Sequence, residues 1–348
     1  MVLVINHAYD DSSHDDPGHP ERPERATAVR AGIDDLHLGS DLIVVSDRAA
    51  TREELTRVHD GGYLDELGAY CYEGGGDLDQ DTYATFNSWS IAKLAAGGGL
   101  AVIDELQRRG DGVGFVVTRP PGHHALRDRA MGFCLLNNIA IAAAALRSKG
   151  ERVLIFDWDV HHGNGTQQIF WDDDKVLYVS THQSPLFPGS GAASEVGGRH
   201  AIDRTVNVPV PAGATSDVLR KAIEDIAAPV IDAFRPTWVL ISAGFDAHRA
   251  DPIGDLQLTS DDFALLARDV ADFAPRAGRL AMFLEGGYDL EALRSSAFST
   301  LRSVLDEGVI RVSLSHGGPG IDHVSRAQRD RVAAIETMRS MHSEETAP

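Results

Sequence analysis

The string Asp157-Trp-Asp-Val-His-His-Gly-Asn-Gly-Thr166 carries the strongest chemical signal in the chain. Residues two apart on an extended segment point the same way, so Asp157, Asp159 and His161 share a face. A carboxylate and an imidazole on one face can chelate zinc. Asp246, in Ala243-Gly-Phe-Asp-Ala-His248, offers a third donor from a separate segment. Three protein ligands leave a position for water and substrate, as a catalytic zinc requires. One such Asp alone would more simply cap the following helix. The whole Asp-x-Asp-x-His-His string, set beside the motifs below, favours the metal. Iron(II) or cobalt would suit the same donors.

His123-His124 follow Pro120-Pro121-Gly122, a rigid turn. Three ligands already complete the metal set, and histidine titrates near neutral pH, so the pair suits acid–base work. A carboxylate bonded to one ring nitrogen fixes the tautomer and raises basicity. Asp157 is the natural orienter for His123. Asn164 can orient His124 without adding charge, leaving it the less basic of the two. His124 could then accept a proton from an activated water while His123 stays protonated. The plainer alternative is a pair of satisfied turn histidines. Tyr288 follows Gly286-Gly287; glycine leaves room for a ligand, and a tyrosine hydroxyl there can donate to the oxyanion of a tetrahedral intermediate. An ordinary half-buried tyrosine is the competing reading. Together these residues describe amide hydrolysis by a metal-activated water.

Such chemistry needs a fold that brings distant segments together. Short apolar runs recur at Val2–Ile5, Leu42–Val45, Val113–Val117, Val153–Phe156, Val176–Ser180, Trp238–Ser242 and Leu280–Leu284. Helical patterns lie between them, at Ser88–Arg108, Asn137–Lys149, Ser216–Phe234 and Ser260–Phe273, with cap signals at Thr215 and Thr259. Alternating strand and helix predicts a three-layer α/β/α fold with a central, mostly parallel sheet. Ligands in such sheets bind outside the carboxyl ends of the strands. Five of these runs are followed by His, Asp, Tyr or Gly motifs, and that convergence outweighs any single motif. One domain spanning 1–348 is expected, with a terminal helix at Ser325–His342 and a flexible end at 343–348.

The 348 residues include 43% apolar types, enough for a large core. No apolar run has the length of a membrane span or a signal peptide, so a cytoplasmic location is expected. Two cysteines, Cys71 and Cys134, exclude a disulfide framework and a Cys-rich zinc site. A net charge of −20 argues against nucleic acid as a partner. It suits cationic substrates such as lysine peptides or polyamines, although solubility explains it as simply. A homo-oligomer is compatible with the sequence, and no motif encodes one.

The chain resembles the histone deacetylase family of the arginase–deacetylase superfamily. The matching strings are Arg119-Pro-Pro-Gly-His-His124, Gly132-Phe-Cys-Leu-Leu-Asn-Asn138, Asp157 to Thr166, Phe187-Pro-Gly-Ser-Gly191, Ala243-Gly-Phe-Asp246 and Leu284-Glu-Gly-Gly-Tyr288. Weaker matches are His19-Pro-Glu-Arg-Pro-Glu-Arg25 and Val58-His59 with Tyr63-Leu64. Gly-Phe-Asp-Ala-His and Asn164 look like the class II branch and its bacterial relatives. The resemblance implies the arginase–deacetylase fold and zinc on Asp159, His161 and Asp246. It implies His124 as general base and then acid, His123 as its electrostatic partner, Asp157 as support and Tyr288 on the amide carbonyl. Gly132, Phe133 and Phe187 would belong to a narrow channel for an aliphatic amine. Potassium would bind at Asp157, the carbonyls of Asp159 and His161, Ser180 and Thr181, and again at Phe170, Asp173 and Val176.

Polyamine-selective relatives carry a glutamate after the Asp-Pro that follows the third ligand. Here Asp251-Pro252 precedes Ile253, which favours acyl-lysine on proteins or peptides over acetylated polyamine. Glu21, Glu24, Asp77, Asp79 or Asp81 could still supply a rim carboxylate. A catalytically silent binder of acyl-amines is the alternative of another class, and every expected catalytic residue being present weighs against it. Guanidine hydrolysis on the arginase side needs two metals and more Asp and His ligands than this single three-ligand site.

Overall fold

The computed structural model describes residues 1–305 and 314–345. Its ten strands are β1 (Leu3–Asn6), β2 (Leu42–Val45), β3 (Gly75–Asp77), β4 (Tyr83–Thr85), β5 (Val113–Val116), β6 (Val153–Asp157), β7 (Val176–Gln183), β8 (Thr205–Val210), β9 (Trp238–Ala243) and β10 (Leu280–Leu284). Eight of them form one sheet in the order β2-β1-β5-β10-β9-β6-β7-β8. Every pairing in it is parallel. The central strands are apolar and buried along their whole length because helices cover both faces. Side chains alternate between two cores. Val153 and Ile155 of β6 face the helices Ser88–Arg109 and Asn138–Ser148, whereas Leu154 and Phe156 face Glu24–Asp34, Ser260–Ala271 and Leu290–Leu305. The expected three-layer α/β/α architecture is therefore the observed one.

All seven expected strands form, within one to three residues of their predicted ends. β8 was not anticipated, because Asn207 and Pro209 interrupt its apolar pattern. It lies at the sheet edge, where proline's missing amide hydrogen is tolerated. The β3–β4 hairpin is antiparallel, and its turn carries Asp79 and Asp81. The helix expected over Ser216–Phe234 contains a π turn at Ile223–Ala227, next to Pro229, which has no amide hydrogen to donate. Thr259 caps its helix through a reciprocal box with Asp262. The C-terminal helix runs over Ile321–Glu345, longer than predicted at both ends. The flexible end expected at 343–348 thus falls partly in this helix and partly, at 346–348, outside the described residues. No helix among the described residues is long and apolar enough to cross a membrane.

Because β5, β10, β9, β6 and β7 are neighbours and parallel, the segments leaving their carboxyl ends meet at one edge. The register aligns Asp157 with both Ser180 and Ser242, and Leu284 with Ala243. Residues 118–125, 158–166, 244–248 and 285–288 therefore converge there.

Candidate active site

Asp159, His161 and Asp246 come together as a buried group whose ligand atoms all lie within 4.8 Å of one another. His161 Nδ1 is 3.1 Å from both Asp159 Oδ1 and Asp246 Oδ2. Backbone amides hold the carboxylates in place. His161 N donates to Asp159 Oδ1 at 2.9 Å, Gly286 N to Asp159 Oδ2 at 2.8 Å, and Val160 N to Asp246 Oδ1 at 2.9 Å. Gly286 and Gly244 press against these carboxylates so closely that neither position has room for a methyl group. Burial and the charge of Asp159 push the Asp246 carboxyl up to about 7, with His161 opposing. Burial would also depress the His161 imidazole, but the two carboxylates carry it up to about 10.

The histidine pair has the two partners read from the sequence. His123 Nδ1 lies 3.1 Å from Asp157 Oδ2, and His124 Nδ1 lies 2.8 Å from Asn164 Oδ1. An amide oxygen only accepts, so His124 carries its proton on Nδ1 and leaves Nε2 free to accept. The electrostatics separate the rings. Burial would lower His123, but Asp159 and Asp157 raise it to about 10. Burial, then the charges of His123 and His161, hold His124 well below the ordinary histidine range. Tyr178, unnoticed in the sequence, donates to Asp157 Oδ2 at 3.1 Å and accepts from Gly163 N at 3.0 Å. The supporting loop is braced from the helix Asn138–Ser148: Asn138 Nδ2 donates to Pro120 O and Asn137 Nδ2 to Ala125 O. His59 accepts from Asn137 N at 3.0 Å through Nε2 and donates through Nδ1 to Leu126 O at 2.8 Å.

A cavity reaches this group. It is lined by Asp81, Pro121, His123, His124, Gly132, Phe133, Asp159, His161, Phe187, Ile253, Gly286 and Tyr288. Each expected catalytic or channel residue borders it except Asp157, which bonds His123, and Asp246, which bonds His161. The Phe187 ring meets His124 edge-on at 5.1 Å, and Phe133 meets Tyr288 edge-on at 5.8 Å. Phe133 has φ 68°, a rare conformation for a side-chain-bearing residue, beside Gly132 at φ 56°. A methyl on Gly132 would stand 2.5 Å from the His124 ring and 2.9 Å from Phe187, so only glycine lets that wall close. Among the rim acids considered, Asp81 reaches the cavity. Glu21 is instead fully buried, paired with Arg25 and Arg119. Arg25 stacks 4.7 Å over the Tyr288 ring and donates to the carbonyls of Glu285 and Gly287.

The family model for the histone deacetylase domain matches residues 19–304. The chain belongs to the histone deacetylase family. It is 36% identical to histone deacetylase 14, chloroplastic, of Arabidopsis thaliana, over 94% of this chain and 82% of that one. It is 40% identical to the histone deacetylase-like amidohydrolase of Pseudomonas aeruginosa, over 78% of this chain and 73% of that one. Among solved structures, the HDA15 HD domain superposes with a TM-score of 0.86 at 33% identity, covering 97% of this chain and 99% of that one. The sheet and its flanking helices are the arginase–deacetylase fold.

Zinc, the metal expected in this histone deacetylase-family site, meets a compatible donor set. Two carboxylates and one imidazole are buried, close and already oriented by backbone amides. The residues expected around potassium are less tightly defined. Asp157 and Ser180 are register partners, Ser180 Oγ bonds His182 Nδ1 at 2.9 Å, and the Thr181 hydroxyl is buried without a hydrogen-bond partner. Phe170, Asp173 and Val176 share the turn before β7, joined by backbone hydrogen bonds. Sequence reasoning met Glu285 and Asp251 inside quoted strings and gave neither a role. Asp251 accepts from Tyr288 N at 2.6 Å and Ile253 N at 3.0 Å, tying the tyrosine loop to the channel wall. The only available signal was an acid beside a site motif.

Proposed function

We propose that this protein is a zinc-dependent lysine deacylase that hydrolyses acetyl-lysine or other acyl-lysine amides of proteins or peptides. The observation that carries the reading is the asymmetric histidine pair facing a buried Asp-His-Asp group in one cavity. Asp159, His161 and Asp246 would hold the zinc, which when bound supplies Lewis-acid polarisation of a carbonyl and of water. His124, neutral with Nε2 free, accepts the proton of the attacking water and later gives it to the leaving amine. His123, kept cationic by Asp157 and Asp159, stabilises negative charge developing beside it. Tyr288 donates its hydroxyl to the carbonyl oxygen as that oxygen becomes anionic. Phe133 and Phe187 exclude water from the aliphatic stem. Two potassium ions, one near Asp157, the carbonyls of Asp159 and His161, Ser180 and Thr181, and one near Phe170, Asp173 and Val176, would be structural. The two buried free cysteines agree with a reducing, cytoplasmic setting.

Acetylpolyamine hydrolysis is the second reading, favoured by one observation, the Asp81 carboxylate at the cavity. Ile253 supports the lysine reading, since it places an apolar side chain in the cavity lining where a polyamine needs a counter-charge. The deciding assay compares acetyl-lysine peptides with acetylated polyamines on zinc-loaded protein, with His124→Ala as control. Preference for peptide supports the proposal; preference for polyamine moves the substrate and keeps the mechanism. Turnover no greater than that of His124→Ala on either substrate would overturn the deacetylase reading in favour of another acyl group or a silent binder.

A further inference from the structure

Glu285 is a fully buried carboxylate outside the cavity lining that touches three segments of the site. Its Oε2 accepts from two consecutive amides, Gly122 N at 2.7 Å and His123 N at 3.1 Å. Its Oε1 accepts from Ser242 Oγ at 3.2 Å. Its own backbone amide donates to Ala243 O at 3.3 Å, and its carbonyl accepts from Arg25. One residue therefore joins the loop that carries the histidine pair, the end of β9 before Asp246, and the loop that carries Tyr288.

The local sequence explains why an acceptor is needed. Pro120 and Pro121 have no amide hydrogen, so Gly122 and His123 bring the first donors after the turn. Both point into the protein, where an unpaired N–H is costly. A carboxyl oxygen shared by two adjacent amides satisfies both donors at one point and ties them together. Opposite it, Gly122 packs so tightly on the start of the helix Asn138–Ser148 that a methyl there would stand 2.5 Å from Asn138 N. The loop is clamped from both sides.

We propose that Glu285 is a positioning residue that sets the His123-His124 loop at its working distance from the Asp159–His161–Asp246 group and from Tyr288. The proposal rests on the hydrolase reading for its kinetic consequence only. A histidine base displaced by a fraction of an ångström still permits binding but loses alignment, so kcat should fall while KM holds.

The test uses the full zinc-loaded chain with Glu285→Leu, Glu285→Gln and Ser242→Ala. Two readouts are taken: kcat and KM on an acetyl-lysine peptide, and hydrogen exchange of the segment 118–126. In Glu285→Leu, kcat should fall about 10- to 100-fold with KM within about twofold, and exchange at Gly122 and His123 should accelerate while 153–157 stays protected. Glu285→Gln keeps an acceptor oxygen and should recover most of the lost kcat. Ser242→Ala frees only the other oxygen, should lower kcat less than the leucine variant, and decides the matter if that variant does not fold. Wild-type exchange at 122–123 in every folded variant, or a rise in KM with kcat unchanged, would overturn the proposal. If the wild-type protein turns over no acyl-amine, the hydrolase reading fails separately, and the exchange measurement alone decides the role of Glu285.

Discussion

Replacing Gly286 by alanine should abolish tight metal binding without unfolding the chain. Gly286 does not occupy the left-handed region, so alanine can adopt its backbone conformation. What excludes the methyl is the pair of carboxylates, Asp159 and Asp246. A methyl there would overlap Asp246 Oδ2 outright and stand 2.7 Å from Asp159 Oδ2. Carbon–oxygen contacts of this kind need about 3.3 Å, so Asp159 alone must retreat by roughly 0.6 Å and Asp246 by more. Metal sites tolerate about 0.2 Å in ligand distance. Both carboxylates are thereby driven off, whereas merely losing an outer support costs about 10- to 100-fold in metal affinity. The expected loss is therefore at least about 100-fold, or roughly 2.8 kcal/mol. Stripping the protein with a chelator and titrating zinc back against a competing indicator measures it directly, with the melting temperature of the metal-free form as the folding control. Zinc affinity within about threefold of wild type, in a folded Gly286→Ala protein, would refute the argument that these three residues form the metal group.

Tyr288→Phe should reduce kcat by about 10²–10³-fold with little change in KM, and steady-state kinetics on an acetyl-lysine peptide would show it. Ile253→Glu should raise kcat/KM for acetylated polyamines relative to acetyl-lysine peptide by about 10-fold or more, because it adds a carboxylate beside Asp81 in the cavity; an unchanged ratio would remove Ile253 as a specificity determinant. His59 is buried, which depresses its imidazole to about 4 despite the bond to Leu126. Since the unfolded chain binds that proton more readily, the contribution of His59 is full above about pH 6.5 and is lost as pH falls towards 4, on the order of 3 kcal/mol. Urea midpoints from pH 7.5 to 4.5 should accordingly fall more steeply for wild type than for His59→Gln.

The elements most legible in the sequence were those whose pattern is local. β6 and β10 are continuous apolar runs flanked by glycine and acid, so both the strands and the residues at their carboxyl ends could be read directly. The partners of the histidine pair were legible for a related reason: Asp157 and Asn164 belong to the same ten-residue string as Asp159 and His161, so their proximity followed from the motif. β8 was not legible, since Asn207 and Pro209 belong in a strand only because it lies at the sheet edge. The supports of the site were hidden by sequence distance. Arg25 meets Gly287, Glu285 meets Gly122, and Asp251 meets Tyr288 through contacts that no local spacing encodes. Glu21 illustrates the difficulty: its motif suggested a rim carboxylate, and tertiary structure turned it inward onto Arg25 and Arg119.

His123 and His124 are adjacent, equally buried and identical in chemistry, yet they sit on opposite sides of neutrality. Chain position cannot cause this, and burial acts on both in the same direction. The difference lies in their partners. Asp157 brings a carboxylate to His123, with Asp159 close behind, whereas Asn164 brings His124 an oxygen of the same hydrogen-bonding geometry without the charge. Once His123 is cationic it depresses His124 further, because two like charges with ring centroids 4.0 Å apart repel strongly in a buried site. The asymmetry therefore reinforces itself: Asp159 and Asp157 hold the charge on His123, while Asn164 adds none to His124 and leaves it able to accept a proton. That division requires both rings to remain in register with their partners, which come from the same segment, 157–164. Any backbone shift between that segment and the loop 120–125 would disturb both histidines at once, and this is why so many buried hydrogen bonds are concentrated on that loop.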